Sequence, residues 1–172
     1  PNDVRIVDGH PYLEGLPTPG PGILGVDVVA LYRDAIQRDM AAFGTNSPVY
    51  FRFSKGIDYD LLENGAEVST FDIVDITPDS PGYASARGWR WTYSHASRYI
   101  CPRWLGLGPS VGQPYAPGTT YAVYVTTGLL DADGGAIARD EDFEAMMADE
   151  TPADADLAAA HAKYQVLRDY LD

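Results

Sequence analysis

One stretch of the sequence has the spacing of a known nucleophile motif. Residues 108–112 read GPSVG, which fits the G-x-S-x-G pattern of esterases and lipases with Ser110 at the nucleophile position. That chemistry requires a buried strand that runs into the serine and a helix that leaves it, with backbone N–H groups free to hold an oxyanion. One proline and two glycines lie within residues 101–108, and Pro114 and Pro117 follow the motif, so we predict loops on both sides.

A serine nucleophile also needs a histidine base within hydrogen-bonding distance. His10 lies in a proline-rich arm, His95 in a predicted turn between strands, and His161 on the predicted last helix. Only His161 follows the serine in the chain order of an α/β-hydrolase. We therefore interpret the motif as a plain loop and assign no catalytic residue. A serine hydrolase fragment that uses Ser110 stays open as an alternative.

Two aspartates are the candidate metal ligands. Asp131 and Asp133 begin a DADG run that resembles the start of a calcium loop. Counting from Asp131, however, Ala136 occupies the position at which such loops require glycine. Asp and Gly are also the residues that form tight turns, through side-chain capping and positive φ. We favour the turn and expect no cofactor, with a calcium site as the alternative.

The aromatic residues and the cysteine each allow two interpretations. Trp89, Trp91 and Trp104 could form a platform for a carbohydrate, which would make the chain a binding or adhesive module. Aromatic side chains at alternate positions of a strand are more typical of a core face, which we favour. Cys101 is the only cysteine, so an internal disulfide and a cysteine zinc site are excluded. We expect it to be a small buried hydrophobic residue rather than a reactive thiol.

The net charge limits the partners. The chain has 172 residues and a formal net charge of −13, much of it between Asp131 and Asp156. This charge disfavours nucleic acids and anionic membrane surfaces as partners. No stretch approaches the roughly 20 apolar residues of a membrane span, so we expect membrane association only through an anchor outside these residues. Because the sequence begins at Pro1, we expect an excerpt or a processed product.

The elements that position these residues divide the chain into three predicted parts. We expect an extended Pro/Gly-rich arm over 1–26, a β-sandwich with a preceding helix over 27–138, and an acidic helical segment over 139–172. The first helix, over 27–43, is predicted to bury an apolar face and to expose Arg33, Asp34, Gln37 and Arg38. That apolar face consists of Val28, Leu31, Tyr32, Ala35, Ile36, Met40 and Phe43.

Period-two alternation then predicts short strands separated by turns. Because no alternating βαβ rhythm is present, the pattern favours a mainly β, antiparallel sandwich over a parallel sheet. After the strands we predict a short helix over 140–150 and a last helix with Thr151 as its N-cap. Its predicted apolar stripe consists of Leu157, Ala160, Tyr164, Leu167 and Leu171. The predicted strands lie within 47–54, 67–76, 89–93, 98–102 and 119–129.

Two passages carry a family resemblance. PYAPGTTYAVYVTTGLLDADGGAI (114–137) is similar to the penultimate-strand signature of bacterial Ig-like domains of the SbsA type, and GTNSPVYFRFSKGID (44–58) resembles their first strand. The flanking helices resemble the N-terminal region of large exported bacterial lipase-like proteins and lipoproteins. Tyr121 is then expected to act as the tyrosine of a sandwich corner. No convincing last strand follows Asp133, so the N-terminal VRIV (4–7) is a candidate for the closing edge.

The resemblance implies a non-catalytic, extracytoplasmic module of a larger surface or secreted protein. Its partners would be a neighbouring domain or the subunits of a surface assembly. Any lipase chemistry would belong to a portion outside these residues, and the family supplies no catalytic residue for this chain. The alternatives from the residues themselves, a carbohydrate-binding module and a serine hydrolase fragment, stay open at this point.

Overall fold

The computed structural model describes residues 6–23, 25–63, 70–93 and 102–172. The chain forms two compact units, Pro1–Gly44 and Thr45–Asp172. The described residues form both helices and antiparallel sheets. The antiparallel pairing agrees with the sequence analysis, but the architecture is mixed rather than mainly β. Within the described residues, no helix combines the length and the apolar character needed to cross a bilayer.

The first unit pairs a small hairpin with one helix. Strand β1 (Ile6–Val7) pairs antiparallel with β2 (His10–Pro11), so this part of VRIV closes a local hairpin; Val4 and Arg5 lie outside the described residues. The arm predicted to be extended over 1–26 therefore contains a short hairpin. Helix α1 (Val28–Asp39) is shorter than predicted, and its N-cap is Asp27, which accepts a hydrogen bond from Ala30 N at 3.0 Å.

The apolar face predicted for α1 is not buried. No residue of this helix is buried, and Val28, Leu31 and Tyr32 are 48%, 59% and 67% exposed. Gln37, predicted to face solvent, is instead half-buried and accepts a hydrogen bond from Leu13 N at 2.6 Å. The physical reason is that the arm presents a backbone N–H that needs an acceptor. A polar side chain can supply that acceptor, and an apolar side chain cannot.

In the second unit, a three-stranded antiparallel sheet consists of β3 (Val49–Arg52), β5 (Trp89–Thr92) and β6 (Trp104–Pro109), in the order β3-β6-β5. Along β3, Val49 and Phe51 are half-buried while Tyr50 and Arg52 are exposed, which confirms the predicted alternation.

The central strand β6 corrects the sequence analysis, which predicted a loop there. All six of its residues are buried. Gly106 has no side chain because its outer face is already filled: a Cβ at this position would lie 3.0 Å from Thr92 Cγ2 and 3.1 Å from Tyr50 Cε1. The glycine therefore marks close packing between neighbours rather than a turn. The strand predicted over 98–102 falls outside the described residues except for Pro102, which is not in a strand.

A second sheet pairs β4 (Phe71–Asp75) with β7 (Tyr121–Val125), also antiparallel. The other edge of β4 is covered by residues 84–87, where Ala84 N donates to Asp75 O at 2.9 Å and Arg87 N donates to Ile73 O at 2.8 Å. The chain then continues directly into β5 of the first sheet. One segment thus contributes to both sheets and joins them.

Both sheets contribute to one hydrophobic core. Leu105 and Leu107 of β6 are fully buried, and the Phe71 ring from the second sheet lies 4.4 Å from the Trp89 ring of the first. Each fully buried leucine contributes about 1.5–3 kcal/mol through the hydrophobic effect. The buried members of this cluster are Ile57, Leu62, Phe71, Leu105, Leu107 and Leu129.

The last helix packs on the far side of the second sheet. Val166, Leu167 and Tyr170 cover Val74, Ile76 and Ala122. Leu167 of the predicted stripe therefore has an apolar partner, whereas Leu171, the last residue of that stripe, is 62% exposed. Asp154, not Thr151, is the N-cap, since its carboxylate accepts from Asp156 N and Leu157 N, and the predicted single helix divides at Tyr164. The helices of this unit are α2 (Tyr59–Glu63), α3 (Glu141–Met147), α4 (Ala155–Lys163) and α5 (Gln165–Leu171).

Candidate functional site

Ser110 immediately follows the buried strand β6. Its hydroxyl donates to Trp89 O at 3.2 Å, and its backbone N–H donates to Gly88 O at 3.0 Å. A tight turn follows the serine, in which Gln113 N donates to Ser110 O at 3.0 Å and Gly112 has φ of 80°. A buried strand therefore does lead into the serine, contrary to prediction, but a turn leaves it, as predicted. The hydroxyl serves to join the end of β6 to β5.

The histidines with described positions have other partners. Nε2 of the buried His161 lies 2.8 Å from Ala148 O, and its Nδ1 lies 3.5 Å from the Nη2 of Arg168. Nδ1 of His10 lies 2.9 Å from Met40 O within the first unit. His95 lies outside the described residues. Among the described hydrogen bonds, none joins an imidazole to Ser110.

A polar corner beside this turn is built on Arg87 and Tyr121. The Tyr121 hydroxyl accepts from Arg87 Nη1 at 2.8 Å and from Ala116 N at 3.2 Å. Arg87 Nη2 donates to Pro114 O at 2.9 Å, and the guanidinium carbon lies 5.3 Å from the centre of the Tyr121 ring. Together these contacts tie the loop before β7 to the segment that joins the sheets. The bond from Tyr121 to a backbone group five residues upstream has the form of a tyrosine corner.

Two polar atoms at this corner are buried without a hydrogen-bond partner among the described residues, Arg87 Nε and the Tyr115 hydroxyl. The rings of Tyr115 and Tyr121 are 4.9 Å apart. Burial raises the pKa of Tyr115 above its ordinary value, although the nearby charge of Arg87 opposes that shift, so the phenol is neutral at neutral pH. Sequence reasoning missed Arg87 and Tyr115, because each lies in a loop and its contacts come from distant parts of the chain.

Asp75 organises the loop on the other side of Arg87. Its carboxylate accepts from Thr77 N at 2.9 Å and from the Ser80 hydroxyl at 2.7 Å. Burial by itself raises the pKa of Asp75. The hydrogen bonds and the charge of Arg87 together lower it by more than burial raises it, so the net pKa is below the ordinary value. The carboxylate is therefore ionised and anchors the turn that follows β4.

The candidate calcium ligands form a turn. Asp131 is buried and accepts from Gly135 N at 2.7 Å and from Asp133 N at 3.0 Å, with Lys55 Nζ at 3.6 Å. The hydrogen bond from Gly135 is the main reason that the pKa of Asp131 is lowered. Asp133 is exposed. Within the described ranges, no cluster of three His, Cys, Asp or Glu side chains is placed to hold a metal ion.

The tryptophans occupy two different environments. Trp89 and Trp91 are half-buried and pack against the core, as the core interpretation predicts. Trp104 is 7% exposed, and its ring meets the exposed Tyr50 edge to face at 5.2 Å. Its indole Nε1 is buried without a described partner. Cys101 lies outside the described residues, so its predicted burial stays a prediction.

Comparison with known proteins adds no relative to this picture. No protein-family model, curated protein or solved structure matches the chain.

Proposed function

We propose that this chain is a non-catalytic, Ig-like module that spaces, docks or assembles within a larger exported bacterial protein. The observation that carries the proposal is the polar corner at Tyr121, at which one side chain holds the loop before β7 against the segment joining two antiparallel sheets. In Ig-like sandwiches a tyrosine near the start of a late strand bonds in this way to backbone a few residues upstream. The role of such a corner is structural.

The packing of the two sheets supports an Ig-like arrangement. Residues from both sheets share one core, and the Phe71 and Trp89 rings meet across it. Antiparallel strands that face each other over an apolar layer are the basic plan of a sandwich. The helix α5 covers the outer face of the second sheet, an addition that is compatible with that plan.

The hydrogen bonds of Ser110 argue against a nucleophile. A catalytic serine requires its hydroxyl to donate to a base, whereas here it donates to Trp89 O. The helix that would supply N-terminal amides for an oxyanion is replaced by a turn ending at Gly112. We therefore assign Ser110 a structural role, in which its hydroxyl joins the end of β6 to β5.

The charge and the sequence resemblance supply the cellular setting of the proposal. A net charge of −13 favours solubility and opposes nucleic acids as partners. We place the module outside the cytoplasm, at the bacterial surface or secreted, with a neighbouring domain or other subunits as partners. It requires no cofactor in this role.

A fluorophosphonate probe tests the assignment. Such probes label activated serine nucleophiles covalently, and the matched control is Ser110→Ala. We expect equal background labelling of both proteins by mass spectrometry, because the hydroxyl of Ser110 is not activated. Stoichiometric labelling that Ser110→Ala abolishes would revive the hydrolase alternative and overturn the proposal.

A further inference from the structure

The sheets of residues 45–172 differ in how their edges are protected. Edge strands β3 and β5 carry the exposed arginines Arg52 and Arg90, and charged side chains on an edge discourage pairing with another strand. The outer edge of β4 is already covered by residues 84–87. Among the residues that the structure describes, strand β7, Tyr121–Val125, has neither form of protection. It contains no charged residue, no proline and no break in its register with β4.

The hydrogen-bond register shows which groups of β7 face outward. Ile76 N donates to Thr120 O and Thr126 N donates to Thr70 O, so the even-numbered residues of this strand exchange bonds with β4. The N–H and C=O groups of Tyr121, Val123 and Val125 therefore point away from β4. Among the described residues, no strand pairs with this edge. Such a row of backbone donors and acceptors is a template for another strand.

We propose that β7 pairs antiparallel with β7 of a second copy of this chain. With the two-fold axis at Val123, Val123 lies opposite itself and Tyr121 lies opposite Val125 of the second copy. Because all three residues direct their backbone groups to this edge, the pair makes about six hydrogen bonds. The two-stranded sheets join into one four-stranded sheet, β4-β7-β7-β4, which is more stable than two-stranded sheets standing alone.

The side chains of β7 are complementary to themselves. On the core-facing side, Val123 and Val125 are partly buried and apolar, so the same register places apolar groups beside apolar groups. On the other side, Tyr124, which is 39% exposed, lies opposite Ala122. No position in the strand brings two like charges together, which is the condition for a strand to pair with its own copy.

The acidity of the chain makes this association dependent on salt. Two copies of net charge −13 repel each other, although much of that charge lies between Asp131 and Asp156 rather than in β7. Raising NaCl from about 0.1 M to about 1 M shortens the screening length from about 10 Å to about 3 Å. The dimer should therefore tighten as salt rises, the opposite of an association held by salt bridges across the interface.

Analytical ultracentrifugation of the whole chain tests the pairing over a wide range of concentration at both salt levels. We expect a monomer–dimer equilibrium that shifts towards dimer at high salt. Tyr124→Glu places a negative charge on the same face in each copy, diagonal to its counterpart, and should raise the dissociation constant several-fold. Tyr50→Glu is the matched control, an exposed tyrosine on the edge strand of the other sheet, and should leave dimerisation unchanged. Circular dichroism verifies that both variants are folded.

Cross-linking tests the register independently. Cα atoms of a hydrogen-bonded antiparallel pair are about 5.5 Å apart, within the range of a disulfide. In a Cys101→Ser background, Val123→Cys should form a covalent dimer under mild oxidation, whereas Val49→Cys, a half-buried valine on β3, should not. A chain that stays monomeric under all conditions overturns the proposal, as does a dimer that Tyr50→Glu disrupts or that cross-links only through position 49.

The inference deepens the proposed docking role and rests on it only in taking the module to be an assembly unit. The two fail separately. A strictly monomeric chain contradicts self-pairing through β7 and does not affect the fluorophosphonate result. Labelling of Ser110 contradicts the non-catalytic assignment and leaves the dimer as measured.

Discussion

Two amphipathic helices of the same chain, neither of which has a fully buried residue, differ in what they pack against. Helix α5 lays Val166, Leu167 and Tyr170 on the outer face of the second sheet. Helix α1 leaves Val28 and Leu31 about half exposed and turns polar side chains towards its own arm. Both helices have an apolar stripe in the sequence, so the stripe alone does not decide burial.

The difference lies in what each helix is offered as a surface. The sheet under α5 presents Val74, Ile76 and Ala122 on its outer face, an apolar area that needs covering. The arm beside α1 presents a backbone donor, Leu13 N, which needs an acceptor and finds one in Gln37. A buried backbone N–H without an acceptor costs about as much free energy as a small apolar contact contributes. The side of α1 that carries Gln37 therefore faces the arm.

The largest effect is expected where α5 packs on the second sheet. Leu167→Ala removes a half-buried side chain that packs on the sheet, and we expect a loss of about 2 kcal/mol in the free energy of unfolding. Urea denaturation followed by circular dichroism measures it. A loss below about 0.5 kcal/mol, the ordinary range for surface substitutions, would show that α5 does not depend on this contact.

The corner that supports the sheet under α5 should show the next effect. Tyr121→Phe keeps the ring and removes the hydroxyl that accepts from Arg87 and from Ala116 N. We expect a loss of about 1–2 kcal/mol in the free energy of unfolding, because a charged donor loses its partner. Tyr124→Phe, whose hydroxyl has no described hydrogen bond, is the matched control and should be near neutral. Equal losses in the two variants would remove the special role of the corner.

Acid should destabilise both α1 and the sheet under α5, each through one aspartate. The pKa of Asp27, the N-cap of α1, is lowered chiefly by the hydrogen bond from Ala30 N. The pKa of Asp75 is also lowered, because its hydrogen bonds and Arg87 outweigh the opposing effect of burial. A pKa lower in the folded state means stability that is present above the unfolded value of about 3.9 and is lost as pH falls through the folded pKa.

Unfolding measured between neutral pH and strongly acidic pH tests these two carboxylates. We expect stability to fall below about pH 4, and both Asp27→Asn and Asp75→Asn to flatten that dependence. An unchanged acid limb in Asp75→Asn would mean that the hydrogen bonds from Thr77 and Ser80 do not favour the charged form.

The smallest effect is expected at the exposed stripe of α1. Leu31→Ala should change the free energy of unfolding by less than about 0.5 kcal/mol, since the side chain is 59% exposed. Measured beside Leu167→Ala, it places the two helices on one scale. A cost near that of Leu167→Ala would show that the stripe is covered in solution.

The strands were the most predictable part of the fold. Alternation placed β3, β5 and β7 and the facing of Val49 and Phe51, because period two follows directly from strand geometry. Strand β6 was not predicted, because a glycine such as Gly106 is usually a sign of a turn. Here the position is a glycine because Tyr50 and Thr92 leave no room for a side chain on that face. That crowding involves strands far apart in the chain and has no local pattern.

Only part of the candidate site was predictable from the sequence. Prolines after Ser110 predicted the turn, and the sequence resemblance led us to expect Tyr121 at a corner. Arg87 was not, because nothing in its own loop indicates that its guanidinium reaches Tyr121 and the carbonyl of Pro114. The division of the last helix at Tyr164 was missed for a similar reason, since the break follows from tertiary packing rather than from a proline or glycine.

Nuclear Overhauser effects between α-protons test the antiparallel architecture most directly. Ile73 and Val123 are opposite each other in β4 and β7 at a position without exchanged hydrogen bonds, where the Cα atoms of antiparallel strands approach to about 4.5 Å. The account predicts a strong effect between these two α-protons. Its absence, together with contacts typical of parallel strands flanked by helices, would contradict the account.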